Sequence, residues 1–278
     1  MSKIDAQEIR SRVERINNLP TIPMVLKRLI SIVENPSVSL GEISEFISSD
    51  PALTTKVLRM VNSPVYGFPG RISSVSQAVV LLGTNVVKGL LFGVSVFDLM
   101  QQSMIGLWEH SLGVAILSRL IAKRKGLKEP EEASVAGLLH DIGKVIFLLQ
   151  LPQEYQKAMD QAEARGITMA DAEKDLLAVT HAHVGTWVAQ SWRFPANLVD
   201  VISYHHRPRL AKNAPEETAI VHLADVLVRA RGFGFAGDRF MPSLNQAAWK
   251  FLGLSEQHLR DILQEMEGSL EASRELVL

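Results

Sequence analysis

The stretch Leu138-Leu139-His140-Asp141-Ile142-Gly143-Lys144 joins an apolar helical pattern to three side chains capable of chemistry. Its periodicity predicts a single helix from Ala133 to Leu149, in which Lys144 lies about one turn after His140. Because adjacent helical residues point about 100° apart, His140 and Asp141 can serve one site only if other helices surround it. A carboxylate can bridge two metal ions, an imidazole can bind one, and an ammonium can hold a phosphate oxygen. For an isolated His-Asp pair, a hydrogen-bonded structural role is the commoner explanation.

The other histidines favour a shared site. All eight lie beyond Leu107, most of them in short apolar motifs. These motifs contain His110, His181 with His183, the pair His205-His206, and His222 three residues before Asp225. Residues three apart share a helix face, so the side chains of His222 and Asp225 lie on the same side. Each histidine alone is most simply structural, but five segments that each present one favour a common metal site.

The residue types define the ligand chemistry. The chain has no cysteine, so a transition metal must be held by His, Asp and Glu. The candidate ligands are the seven histidines of these motifs, together with Asp141 and Asp225. Seven ligands exceed the needs of one tetrahedral zinc ion and favour two divalent ions. Imidazoles and carboxylates at this density suit iron, manganese, nickel, zinc or magnesium.

The composition excludes several classes of function. The 278 residues are 47% hydrophobic and 21% charged, which is typical of a globular protein. The formal net charge of −1, from 29 basic and 30 acidic residues, gives no electrostatic reason to expect nucleic-acid binding. Solvated helix faces explain the basic residues Lys27, Arg28, Lys56 and Arg59. The absence of cysteine excludes a disulfide-stapled secreted domain and a cysteine nucleophile.

Two further segments bear on location. The polar stretch Met1 to Arg10 lacks the apolar core of a signal peptide. The most apolar stretch, Ala78 to Met100, is interrupted by polar and charged residues, which predict two core helices rather than a membrane span. Among them are Thr84, Asn85, Lys88 and Asp98. We therefore expect a cytoplasmic protein with no membrane contact.

Helical periodicity and cap signals run along the chain without strand alternation, so the expected fold class is all-α. The start signals are a capping box at Ser39–Glu42, the Asp50-Pro51 pair, and Ser74–Gln77, whose helix should end near Gly83 before a second one runs to about Met100. Downstream we predict helices over Leu107–Lys125, Ala170–Gln190, Leu198–His206, Glu217–Arg231 and Leu254–Glu271.

The distribution of histidine predicts two subdomains. Residues 1–102 contain none and form a helical bundle with a structural or partner-binding role. Residues 103–278 hold every candidate ligand and end with an amphipathic helix, so they form the predicted metal-binding part.

The order of several motifs resembles the HDOD domains of bacterial signalling proteins, within the HD-domain phosphohydrolase superfamily. The resemblance covers roughly residues 15 to 230. It rests on the ligand spacing given above and on further motifs in both halves of the chain. These are Leu19-Pro-Thr-Ile-Pro23, Asp50-Pro-Ala-Leu53, Val57-Leu-Arg-Met-Val-Asn-Ser63, Gln77-Ala-Val-Val-Leu-Leu-Gly83, Glu173, His181-Ala-His-Val-Gly185, Trp192-Arg-Phe-Pro195 and Tyr204-His-His-Arg-Pro208.

The resemblance implies an N-terminal helical bundle packed on an HD-type helical core, and a role in signal transduction. Many family members resemble degenerate phosphohydrolases that have lost their metal ligands, whereas this sequence keeps them. By the resemblance, the ligand positions of the superfamily are held here by His110, His140, Asp141, His181, His205 and Asp225, with His206 as a seventh candidate. His183 falls where the pattern often has an acidic residue. Related cyclic-dinucleotide phosphodiesterases carry Gly-Tyr-Pro after the paired histidines; here Arg207-Pro-Arg-Leu-Ala-Lys212 follows, which argues against cyclic di-GMP as substrate.

Two functions are compatible with this resemblance. In the first, the protein is a two-metal phosphohydrolase acting on a phosphodiester or nucleotide; Asp141 and Lys144 are catalytic, and Lys144 and Arg207 bind the phosphate. In the second, it is a non-catalytic regulatory module that retains a vestigial metal site and contacts a signalling protein through its N-terminal helices. The two functions are distinguished by whether the fold brings all of the candidate ligands together.

Overall fold

The computed structural model describes residues 5–14, 24–33 and 38–273. These residues form α-helices and a 3-10 helix, which are given below in chain order, and no β-strand occurs among them. The predicted all-α class is confirmed. The motif Leu19–Pro23 lies outside the described residues.

Five helices form the N-terminal part: α1 (Ala6–Glu14), α2 (Met24–Val33), α3 (Leu40–Ser48), α4 (Pro51–Val61) and α5 (Val75–Ser103). All three predicted caps are present, including that of α5, where the Ser74 side chain accepts from the backbone N–H of Gln77. The Ser39 hydroxyl accepts a hydrogen bond from the backbone N–H of Glu42, and the Glu42 carboxylate accepts one from the backbone N–H of Ser39. The Asp50 carboxylate accepts from the backbone of the first turn of α4. These caps satisfy backbone donors that a helix start leaves unpaired.

Helix α5 is broken at Gly83, as the sequence predicted for two consecutive helices. Gly83 has φ 74° and ψ 168°, a left-handed backbone angle that glycine adopts without steric cost. Within the described residues, α5 is the one helix that is long and apolar enough to cross a membrane, over Val75–Gln102. Two-thirds of its apolar window (67%) is buried inside the protein, as in a core helix.

The C-terminal part begins with α6 (Leu107–Lys125), whose bounds match the prediction. The following helices are α7 (Pro130–Leu139), α8 (Ile142–Gln150), α9 (Pro152–Arg165), α10 (Met169–Leu177), α11 (His181–Ser191), α12 (Ala196–Tyr204), a 3-10 helix (Pro208–Leu210), α13 (Pro215–Arg231), α14 (Gln246–Leu252) and α15 (Glu256–Ala272).

The prediction of one helix over Ala133–Leu149 is wrong. Helix α7 ends at Leu139 and α8 begins at Ile142, so His140 and Asp141 form the junction between two helices. Asp141 has φ −98° and ψ 13°, outside the helical region. The junction contains neither proline nor glycine, so periodicity alone gave no sign of it.

The range Ala170–Gln190, which was predicted to hold one helix, contains parts of two. Helix α10 ends before Ala178, which has a left-handed φ of 60°, and α11 starts at His181. Glycine is the usual residue at such a position, so its absence concealed the break.

Helix α6 lies at the centre, with α7, α13 and α15 packed against it. Helix α5 joins the two parts because it contacts α3 and α4 on the N-terminal side and α7 on the other. A continuous hydrophobic core runs through both parts. The predicted boundary after residue 102 falls next to the end of α5 and stays a prediction.

The approach of α8 to α11 is close because both helices present glycine at the crossing. A Cβ added to Gly143 would overlap the carbonyl oxygen of His181 and lie 2.8 Å from the backbone nitrogen of Gly185. This contact fixes the start of α11 beside the start of α8. It therefore sets the position of His181 relative to Asp141.

We expect Gly143→Ala to lower the free energy of unfolding by about 2 kcal/mol or more, since backbone atoms must move to admit the methyl group. Urea denaturation measures the change. The matched control is Gly268→Ala in α15, where an added Cβ meets no atom within 4 Å. Alanine there should stabilise the protein by about 0.5–1 kcal/mol. Equal effects of both substitutions would contradict the packing argument.

Asp200 anchors the connection between α12 and α13. It is 6% exposed, and its carboxylate accepts from the backbone N–H groups of Lys212, Asn213 and Ala214. Burial raises the pKa of Asp200, but the three backbone donors outweigh this and hold the pKa below its usual value. The anchor fixes α12, which ends at the paired histidines, relative to α13.

The depressed pKa means that ionised Asp200 stabilises the fold at neutral pH and that this stabilisation is lost as the pH falls through the folded pKa. We expect Asp200→Asn to lower the free energy of unfolding by about 1–3 kcal/mol at pH 7. The difference from wild type should narrow below about pH 4, near the unfolded pKa of aspartate. Urea denaturation across this range tests it, with exposed Asp160→Asn as control. A difference that does not vary with pH would contradict the assignment.

Candidate metal centre

The structure brings all seven predicted ligands to one place. His110 comes from α6, His140 and Asp141 from the α7–α8 junction, His181 from the first turn of α11, His205 and His206 from the end of α12, and Asp225 from α13. All except His206 are at most 2% exposed. The cluster therefore lies inside the protein, and His206 is its most exposed member.

The side chains form two triads that share no residue. In the first triad, His110, His140 and Asp225 offer ligand atoms within 4.8 Å of one another. The Nε2 atom of His110 lies 3.3 Å from Oδ1 of Asp225. This triad combines two imidazoles with one carboxylate.

In the second triad, His181, His205 and His206 offer ligand atoms within the same 4.8 Å limit. The Nε2 atom of His181 lies 2.8 Å from Nε2 of His206 and 3.3 Å from Nε2 of His205. Three imidazoles thus direct nitrogen atoms at one point.

Asp141 lies between the triads, and its two oxygens face different ones. Oδ2 lies 3.3 Å from Nε2 of His140 and 3.5 Å from Nε2 of His110. Oδ1 lies 3.3 Å from Nε2 of His181 and 3.9 Å from Nε2 of His205. A carboxylate in this position can contribute one oxygen to each triad.

Hydrogen bonds at the outer ring nitrogens orient three of the imidazoles. Nδ1 of His140 lies 2.7 Å from the carbonyl oxygen of Gly137, and Nδ1 of His205 lies 3.0 Å from that of Ile202. A carbonyl oxygen can only accept, so each Nδ1 carries the proton and each Nε2 presents a lone pair to the centre. His181 donates from Nδ1 to the Glu173 carboxylate, 2.7 Å away, with the same consequence.

This arrangement leaves electron-donor atoms facing one another. The lone pairs of His181 and His205 cannot form a hydrogen bond across their 3.3 Å separation. Nε2 of His110 and Oδ1 of both Asp141 and Asp225 are buried without a hydrogen-bond partner. Buried polar atoms rarely lack a hydrogen-bond partner. Several lone pairs that face one another without a proton between them can be satisfied by a cation. The residues therefore fit divalent metal ions.

The acid–base properties of His205, Asp141 and Asp225 agree with this donor set. Burial, together with the neighbouring His140 and His181, holds the pKa of His205 well below its usual value, so its ring stays neutral. Burial raises the pKa of Asp141, but His140 and Lys144 outweigh it and hold the pKa well below normal. The pKa of Asp225 is likewise far below normal, since interaction with His110 outweighs burial. Neutral imidazoles and ionised carboxylates are the forms that bind metal.

The two predicted phosphate-binding residues lie in different environments. Lys144 is 1% exposed, and its ammonium donates to Oδ2 of Asp141 at 2.6 Å and to the carbonyl oxygen of Ala236 at 2.8 Å. Arg207 is exposed and close enough to His183 for its charge to add to the effect of burial in lowering the pKa of that imidazole. Lys144 thus balances charge inside the cluster, while Arg207 faces solvent beside His206.

Sequence reasoning gave no role to Glu173, although it matched a family motif. Glu173 is fully buried and accepts from both the ring and the backbone of His181 and from the hydroxyl of Tyr155 at 2.8 Å. Its place in the family motif, eight residues before His181, was the available signal.

The other two histidines considered from sequence have hydrogen-bonded roles. Nδ1 of His183 contacts the hydroxyl and the backbone N–H of Thr180 at the start of α11. His222 uses both ring nitrogens on backbone atoms of His205 and Asn245. Neither belongs to a triad.

The comparison with known families agrees with the fold and this cluster. The profile of the HDOD domain matches residues 19–208, which is more than half of the chain. The chain belongs to the HDOD domain family. The resemblance deduced from the sequence motifs is thereby confirmed.

An uncharacterized protein of Treponema pallidum (strain Nichols) is 28% identical over 273 residues, which cover 95% of this chain and 52% of that protein. The chain thus spans about half the length of this curated relative.

Two solved structures have the same architecture. An HDOD domain protein of unknown function from Geobacter sulfurreducens superposes with a TM-score of 0.71 at 28% identity, covering 97% of this chain and 98% of that chain. A candidate phosphohydrolase from Shewanella amazonensis SB2B gives 0.61 at 26% identity, covering 94% and 98%. These likenesses confirm the predicted HD-type helical core.

We expect Glu173→Gln to weaken Mn²⁺ binding about 10- to 100-fold, because a neutral amide no longer fixes the orientation and proton of His181. Calorimetric titration of metal-stripped protein measures the affinity. Glu163→Gln on the exposed face of α9 makes the same chemical change away from the cluster and should leave the affinity unchanged. An unaltered affinity in the Glu173 variant would show that His181 does not need its carboxylate partner.

Proposed function

We propose that this HDOD protein binds two divalent metal ions and hydrolyses a phosphate ester, either a phosphodiester or a nucleotide. The observation that supports it most strongly is the position of Asp141, whose two oxygens face triads that share no residue. A single-ion site needs no carboxylate between two complete sets of donors. Iron, manganese, nickel, zinc and magnesium remain candidates, because all accept imidazole or carboxylate ligands.

The division of the ligands follows the triads. His110, His140 and Asp225 would hold one ion, His181, His205 and His206 the other, and Asp141 both. Ions held there would supply Lewis-acid activation of the phosphate ester and of the attacking water. The surrounding burial excludes bulk water, which strengthens electrostatic interactions in the cluster.

Two basic side chains suit an anionic substrate. Lys144 commits two of its N–H groups to Asp141 and Ala236, which holds its positive charge beside the first triad. Arg207 is exposed and directly follows His206, the most exposed member of the cluster, and a guanidinium can bind phosphate with two hydrogen bonds. In this proposal Arg207 captures the phosphate and Lys144 balances charge that develops on it.

The family comparison supports the reaction class. The similar protein from Shewanella amazonensis is described as a candidate phosphohydrolase. The sequence after the paired histidines, Arg207 to Lys212, lacks the Gly-Tyr-Pro signature, so substrates other than cyclic di-GMP are proposed.

A second candidate function is a metal-holding regulatory module without catalysis. The observation that favours it is the burial of the cluster, which limits the access of a substrate: six of the seven ligands are at most 2% exposed. Val80 and Leu81 on α5 are 72% and 51% exposed and offer an apolar contact for a signalling protein. An assay of phosphate-ester hydrolysis therefore distinguishes the phosphohydrolase from the regulatory module.

The test begins with protein purified without chelators. We expect elemental analysis to find about two divalent ions per chain, and loaded protein to hydrolyse bis-p-nitrophenyl phosphate or a member of a nucleotide panel. Asp141→Asn should abolish turnover and lower the ion content, because a neutral amide is a poor bridge. Asp175→Asn, at an exposed position paired with Arg165, is the matched control and should retain both properties.

Three outcomes decide between the candidates. Ions with turnover support the hydrolase. Ions without turnover on any substrate, after loading with each candidate metal, favour the regulatory module. Protein that binds none of these metals would refute both.

A further inference from the structure

His222 lies next to the metal centre but cannot act as a ligand. It is 2% exposed on α13, three residues before Asp225. Its Nδ1 lies 2.8 Å from the carbonyl oxygen of His205, and its Nε2 lies 2.9 Å from the backbone nitrogen of Asn245. The carbonyl can only accept and the backbone N–H can only donate, so Nδ1 carries the proton and both ring nitrogens are occupied.

The bond to His205 occurs where the backbone of α12 has no helical partner. Helix α12 ends at Tyr204, and His205 is its C-terminal cap. The last carbonyl groups of a helix have no intrahelical donor and must be satisfied by another group. The Nδ1–H of His222 supplies that donor from a different helix.

The residue whose carbonyl is held in this way also carries a ring of the second triad. The Nδ1 of the His205 ring donates to the carbonyl of Ile202 in the preceding turn, which turns Nε2 toward the second triad. A shift of the His205 main chain, which carries this ring, would therefore displace Nε2 from its 3.3 Å approach to His181. Holding the carbonyl holds the ligand atom.

The second contact of His222 has a separate purpose. Asn245 is the N-cap of α14, and its side chain accepts from the backbone of Ala247 and Ala248. Nε2 of His222 accepts a hydrogen bond from the backbone N–H of Asn245. One ring thus joins α13 to the end of α12 through its donor and to the start of α14 through its acceptor.

We propose that His222 is a positioning residue that orients His205 for the ion of the second triad by donating from Nδ1 to the His205 carbonyl. The proposal rests on the proposed two-ion function. The affinity of the second triad for its ion should depend on His222. The affinity of the first triad for its ion should not.

Two conservative variants separate the contacts. In His222→Asn the amide nitrogen occupies the place of Nδ1, which keeps the donor to His205 and removes the acceptor for Asn245. In His222→Gln the amide reaches the place of Nε2, which keeps the acceptor and removes the donor. The exposed histidine of α15, changed as His258→Gln, is the control for loss of a histidine remote from the centre.

The measurement is calorimetric titration of metal-stripped full-length chain with Mn²⁺. Wild type, His222→Asn and His258→Gln should bind two ions with the same affinities. His222→Gln should bind one ion normally and the other about 10- to 100-fold more weakly. A merely structural role would weaken both ions together, since Asp225 is on the same helix. Equal weakening of both ions, no weakening, or equal behaviour of the Asn and Gln variants would overturn the proposal.

A metal-free readout keeps the two proposals distinct. If wild type binds no ion, the proposed function fails, and long-range ¹H–¹⁵N spectra of the imidazoles then decide the role of His222. We expect His205 to be the Nδ1–H tautomer in wild type and His222→Asn, and a mixture of tautomers in His222→Gln. An unchanged His205 tautomer in the Gln variant would overturn the positioning role.

Discussion

Two ionised carboxylates, Asp141 and Asp225, lie inside an apolar helical core, and the compensation of their charge constrains the rest of the centre. Burying an isolated carboxylate is very unfavourable, so each must meet positive charge or hydrogen-bond donors. Lys144 donates directly to Asp141, whereas Oδ1 of each aspartate is left without a hydrogen bond. The inward lone pairs of His140, His181 and His205 add no protons to neutralise them. The donor set of the cluster therefore fits cations.

The helix breaks serve this requirement. A continuous helix would have separated His140 and Asp141 by about 100°, but the junction between α7 and α8 allows both side chains to face the same cluster. His181 and His205 likewise lie at helix ends rather than in helix centres. Helix ends can direct a side chain along a helix axis as well as outward from it. Their backbone groups also need outside partners, and Glu173 and His222 supply them at His181 and His205.

Much of the fold was accessible from local signals. The capping box at Ser39, the Asp50-Pro51 start and the bounds of α6 depend on interactions between residues a few positions apart, and all three were predicted. The breaks at His140-Asp141 and near Ala178 were missed, because neither contains the glycine or proline that usually marks a helix end. There the packing of α8 on α11 through Gly143 outweighs the local helical preference.

The sequence by itself determined the all-α class, the family and the identity of the seven residues that converge, because ligand type and helical periodicity are properties of individual residues and their near neighbours. Only the tertiary structure decided how those seven divide into two triads, which oxygen of Asp141 faces each, and that Glu173 and His222 orient the rings without joining the triads. These relations depend on distances between helices far apart in sequence. Such distances are fixed by core packing, which no local pattern encodes.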